Sequence, residues 1–154
     1  ILDHTPALWK AQVDEYRKLA REKFDRDIQV FTNITLVQRE TMAEAEDYQK
    51  HYMERHRDVE AVDSFMDTFA IESGLPKDTP QFEVMRRIVA AGSGYPVAGD
   101  AAHVSNMLIE LSEAGLDGVL INWPDPMNGV TSMVRDVFPV LEKAGLRRPF
   151  EGVF

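Results

Sequence analysis

Two apolar segments that read as strands covered on both faces, the long helical stretch between them, and a length well short of a closed barrel together predict the fold class. The fold expected is α/β, the C-terminal part of a (β/α)8 barrel with a helical insertion between its last two strands. The chain has 154 residues, 44% of them hydrophobic and 28% charged, the balance of a soluble globular protein with a real core. A complete β/α barrel takes about 250 residues.

Taken in order, Pro6 to Lys23 carries Leu8, Val13, Tyr16, Leu19 and Ala20 at helical spacing between charged residues, which predicts an amphipathic helix. Ile28 to Val37, "IQVFTNITLV", is rich in β-branched and aromatic residues and predicts a strand. It is apolar on both faces apart from Thr32, Asn33 and Thr35, the pattern of a parallel strand covered on each side. Thr41-Met42-Ala43-Glu44 has the spacing of a capping box, so a long helix should follow, with a break near His56 to Asp58. Gly74 to Thr79 reads as a loop, and Thr79-Pro80 as the cap and first turn of a helix with Phe82, Met85, Ile88 and Val89 on one face. Ala91 to Gly99, "AGSGYPVAG", reads as the most flexible stretch. Asp100 caps the next helix, with Val104, Met107, Leu108 and Leu111 as its stripe and Ala114-Gly115 as its end. Gly118 to Asn122 is the second strand; Val130, Val134, Val137, Phe138 and Leu141 mark a last helix ending near Ala144-Gly145.

Two parallel strands cannot bury both of their faces or pair their outer edges unaided. The expectation is therefore that residues 1–154 form a single partial domain whose preceding strands lie outside this sequence; the absence of an initial Met points the same way.

Composition narrows the function. The net charge is −9, and the 17 Lys and Arg are scattered along the helices, so neither nucleic acid nor an anionic membrane is an expected partner. No cysteine is present, which excludes disulfides, thiolate metal sites and a thiol nucleophile in these residues and fits a cytoplasmic protein. No apolar run approaches the ~20 residues of a membrane span. His4, His51, His56 and His103 lack metal-ligand spacing with a third ligand and read as surface residues; Asp58, Glu60 and Asp63 read as a solvated face. The methionines at 42, 53, 66, 85 and 107 read as core or subunit contact.

The stretches "QVFTNITLVQRETMAEAEDYQKHY", "DVEAVDSFM", "GYPVAGDAAHVSNMLIELSEAGLDGVLINWPDPMNGV" and "VFPVLEKAGLR" resemble, in order and spacing, the C-terminal portion of the bacterial luciferase-like flavin-dependent monooxygenases. The resemblance covers nearly the whole chain and is most specific from Gly99 through Trp123. It implies a (β/α)8 barrel of the luciferase-like type that uses reduced FMN, with FAD or a deazaflavin as alternatives, and O2 as co-substrate. It also implies a separate flavin reductase, a small-molecule substrate and a homo-oligomer.

In such barrels the active site lies at the C-terminal ends of the strands. The resemblance therefore implies that Asn122, Trp123 and Asp125, leaving the last strand, line the flavin or substrate pocket, Trp123 as a rigid apolar wall. From the residues alone, Trp123 packed against the final helix is the competing reading. Asn33 and Thr35, two apart, share one strand face; if that face is the barrel interior they are either pocket residues or members of a satisfied polar layer. Tyr95 is the residue expected on a lid, and no general base is assigned.

The alkanesulfonate monooxygenases of this family carry an Arg and a His at the positions matching Asn33 and Thr35, a Tyr at that of Trp123, and a further Arg in a mobile loop near Ala90. This sequence departs at all four, removing the bidentate donors a sulfonate needs and pointing to a less charged substrate, comparable to those of the heterocycle, sulfide or polyamino-acid oxygenases of the family. The glycines of Gly92 to Gly99 resemble a flavin or phosphate cradle, against the plainer reading of a hinge. The principal flavin-phosphate site is expected on earlier strands. Two other functions stand beside this one: a non-catalytic half-barrel interaction module, and a deazaflavin-dependent oxidoreductase of the same fold.

Overall fold

The computed structural model describes residues 6–149 and residue 151; His4 lies outside them. Helix α1, Pro6–Phe24, buries Trp9, Val13 and Ala20, which fall on one face at intervals of four and seven. Strand β1, Phe31–Gln38, follows, starting three residues later than the apolar pattern predicts, because Ile28 stays exposed beside the end of α1.

The capping box forms as the sequence requires: Thr41 Oγ1 accepts from the Glu44 amide at 3.2 Å, and the Glu44 carboxylate accepts from the Thr41 amide at 3.1 Å. It opens α2, Met42–Lys50, which runs into a π turn at His51–Arg55 before the chain breaks. Helix α3, Val59–Ser73, is capped by Asp58 and ended by Gly74 in the left-handed region at φ 68°. Helix α4, Pro80–Ala90, starts from Thr79 with Pro80 in its first turn. Helices α3 and α4 share a small core of Val62, Met66 and Phe82, apart from the main one.

Strand β2, Tyr95–Gly99, leads into α5, Ala101–Glu113, capped by Asp100. Strand β3, Gly118–Asn122, leads into α6, Pro126–Ser132, then a π turn at Met133–Val137 and α7, Phe138–Lys143.

The sheet is parallel with order β2-β1-β3. The two strands that the sequence predicts, β1 and β3, are hydrogen-bonded neighbours, with Phe31 opposite Gly118 and Thr35 opposite Asn122. The helical insertion lies between them. It also holds β2, where the sequence predicts only a flexible stretch; β2 pairs along the other edge of β1, Ile34 opposite Tyr95 and Gln38 opposite Gly99. Five residues with a proline and a glycine give no periodic signal, and Pro96 suits an edge strand because its missing N–H is not needed there.

The main core lies on one side of the sheet. Ile34 and Leu36 of β1 and Val97 of β2 meet Trp9 and Val13 of α1, Val104, Leu108 and Leu111 of α5, and Met133, Val137 and Leu141 of the last helical rod. Asp117 ties α1 to the starts of β1 and β3: its carboxylate accepts from the Val30 amide at 2.7 Å and from Arg17 at 2.8 Å, and its own amide donates to the Val30 carbonyl. Side chains alternate along each strand, so Phe31, Asn33 and Thr35 of β1, with Leu120 and Asn122 of β3, occupy the face turned away from the helices of the core.

Candidate active site

That second face carries the most specific polar arrangement. Asn122 Nδ2 donates to Asn33 Oδ1 at 2.9 Å, and Asn33 Nδ2 donates to the Ser93 carbonyl at 3.0 Å. Thr35 is the register partner of Asn122 and is buried at 2% exposure, yet its hydroxyl has no hydrogen-bond partner among the described residues. The cause is local. Gly94 crosses directly over it, so closely that a Cβ there would stand 2.6 Å from Thr35 Oγ1 and from the Thr35 backbone. Only glycine permits that approach. Phe31 and Leu120 flank the polar groups and are 52% and 62% exposed. No ionisable residue of the three strands falls on this face.

The sequence-predicted residues divide between the two sides of the sheet. Asn33, Thr35 and Asn122 come together. Trp123 turns to the helix side, where it joins the core and its indole lies against Gly129 of α6; a Cβ on Gly129 would collide with it. The Trp123 Nε1 is buried without a partner. Asp125 is the N-cap of α6, accepting from the Asn128 amide at 3.3 Å. Tyr95, expected on a lid, is the first residue of β2 and packs against the core, opposite to Asn33; burial raises the pKa of its phenol.

The glycine segment before β2 does not form a phosphate cradle. The amides of Gly92 and Ser93 donate to the carbonyls of Val89 and Ile88 and so finish α4. Phosphate binding uses free amides at a helix N-terminus, whereas this is a C-terminus, where the helix dipole is negative. Ser93 holds a φ of 72°, a left-handed conformation unusual for a residue with a side chain, and this delivers its carbonyl to Asn33.

Sequence reasoning did not find Ser93, Phe31 or Leu120, nor a polar cluster where β1 ends. There Gln38, buried at 3% exposure, donates to Asp136 at 3.1 Å, and Arg135 holds the Asp136 carboxyl below the usual carboxylate range. These residues border a cavity of about 390 Å³ on the helix side of the sheet end. A second cavity of about 350 Å³, lined by Leu108, Leu111, Val119, Ile121 and Phe138, is also on the helix side and away from Asn33. Among the described residues no group of three or more His, Asp or Glu could hold a metal, and no helix is long and apolar enough to cross a membrane.

The fold has close counterparts among solved structures. A riboflavin lyase, RcaE, described with modified FMN and its substrate riboflavin, superposes with a TM-score of 0.70 at 18% identity, over 98% of this chain and 39% of that one. DmoA from Hyphomicrobium sulfonivorans gives 0.69 at 17% identity, over 99% and 38%. The EDTA monooxygenase EmoA from Chelativorans sp. BNC1 gives 0.62 at 18%, over 94% and 41%. These are members of the luciferase-like family, and over the portion it spans the chain has their barrel fold. It spans about two fifths of the length of those structures. No family model and no curated protein matches the sequence.

Proposed function

We propose that these residues are the C-terminal part of a luciferase-like flavin-dependent monooxygenase, a cytoplasmic enzyme whose reduced FMN comes from a separate reductase and which oxygenates a small organic substrate with O2. The observation that carries this reading is the open part of the sheet's second face: an uncharged surface with exposed Leu120 and Asn122 beside Asn33, and exposed Phe31 at the start of β1. On a luciferase-like fold that face is the barrel interior, and residues preceding this segment would close it.

The described residues fit the ring of a flavin and not its phosphate. Leu120 offers apolar surface to a flat ring beside the Asn33–Asn122 pair, and the amides of Gly92 and Ser93 are taken up in ending α4. When bound, the reduced flavin supplies the electrons that activate O2. The chain's own part is to bind, orient and exclude water. Leu120 helps to keep the ring dry, and the Asn33–Asn122 pair orients polar groups beside it. Trp123 backs the wall from behind by fixing the start of α6 against the last strand.

Anaerobic titration of the intact natural protein with reduced FMN, alongside a Leu120→Asp variant, tests the reading. Because Leu120 would face the interior of the closed barrel, the melting temperature of the variant is measured beside its affinity; with the melt unchanged, a carboxylate facing the ring is expected to weaken binding by about tenfold or more. Unchanged affinity in the variant would remove this face from the site. The same exposed apolar face favours a second reading, a half-barrel that binds a partner chain; a protein that takes up no flavin in either redox state would support it.

A further inference from the structure

The Asn33–Asn122 pair has a fixed polarity, and the structure assigns it a substrate class that rests on the flavin reading: an uncharged molecule with an amide or imide edge, N–H beside C=O. The fixed point is the Ser93 carbonyl, which can only accept. Asn33 must therefore turn its NH2 toward Ser93 and its Oδ1 toward Asn122. Asn122 in turn must present its NH2 to Asn33, so that its own Oδ1 points away from the pair. Flipping Asn33 sets like against like at both of its contacts, and flipping Asn122 does so at its contact with Asn33.

The end of this relay is a carbonyl acceptor, Asn122 Oδ1, beside the second N–H of the same amide. Asn122 is exposed, and among the described residues its hydrogen bond is the one its Nδ2 donates to Asn33. A ligand edge that donates to the oxygen and accepts from the N–H satisfies both. A carboxylate or sulfonate, which only accepts, sets one of its oxygens against Asn122 Oδ1 and finds no cation among the strand residues of this face. Exposed Leu120, on the same strand face two residues before Asn122, supplies apolar surface for the rest of such a molecule.

Three probes of one shape separate donor from charge: benzamide, methyl benzoate and benzoate, titrated calorimetrically into the intact protein with and without reduced FMN. Benzamide is expected to bind roughly tenfold more tightly than either of the others, and the Asn122→Leu variant, close in volume, to erase that preference. Equal binding of the three, or a preference that survives in Asn122→Leu, would overturn the assignment. Reduced-FMN affinity is measured on the same two proteins. If it falls in parallel with benzamide in Asn122→Leu, the amide edge recognised is that of the flavin, and the substrate assignment fails. If the wild type shows the benzamide preference but binds no flavin, the cofactor reading fails while the recognition stands. Flavin binding without the preference leaves the cofactor reading standing and removes this inference.

Discussion

Asp117 holds together three pieces of the chain that meet only after folding. The Val30 amide and Arg17 both favour its ionised form and lower its pKa below the ordinary carboxylate value. A carboxyl whose pKa is depressed on folding contributes stability that is fully present above the unfolded value, about 4, and is lost as pH falls through the folded one. Thermal melts of Asp117→Asn should thus lie below wild type at pH 7 and converge with it in strong acid; parallel curves across that range would refute the role. Trp123 supports a second residue-scale prediction. Gly129→Ala forces the indole out of its place, at a cost of about 1–3 kcal/mol for overpacking against the ~1 kcal/mol gained in helix propensity. Urea denaturation should show a net loss, accompanied by a shift in tryptophan emission. At this scale the sequence revealed residue types and spacing: that Asn33 and Thr35 share a face was legible, and so was Asp125 beside a loop. That Asn33 pairs with Asn122, and that Ser93 sets the direction of the pair, depends on strands 89 residues apart in sequence and a left-handed backbone at Ser93, which no local pattern encodes.

Elements with local causes were the most legible. The Thr41–Glu44 box, the Thr79-Pro80 start, the Asp100 cap and the glycine stops at 74 and 115 all lie where the side-chain chemistry puts them. Strand β2 was not legible, because what makes it a strand is the free edge of β1 rather than its own residues. The π turns were also hidden: one closes α2 and the other joins α6 to α7, and neither has a residue signature of its own. Asp125 sits at the boundary between an element and a site. As the cap of α6, it should tolerate Asn, which caps as well, and Asp125→Asn should keep its melting temperature and its affinity for reduced FMN. A selective loss of flavin affinity would show that the charge serves the site and not the helix alone.

On the scale of the whole molecule, the asymmetry of the sheet governs the account. One face is packed by α1, α5 and the last helical rod, while the other leaves Phe31 and Leu120 open. From two apolar strands the sequence led to the expectation of uncovered faces; the sheet has a third strand, β2, and Phe31 and Leu120 stay exposed on its second face. Residues 1–154 produced by themselves should accordingly aggregate or unfold without a cooperative calorimetric transition; a sharp reversible transition would show that the segment is a complete folding unit. The proposed substrate class was not legible beyond the low charge expected of it, because it rests on the geometry of one amide pair. The central claim is that the open face belongs to a site for reduced flavin. The most direct measurement is the affinity of the intact natural protein for reduced and for oxidised FMN under anaerobic conditions: saturable binding, tighter for the reduced form, is the result predicted, and binding of neither form would contradict the account.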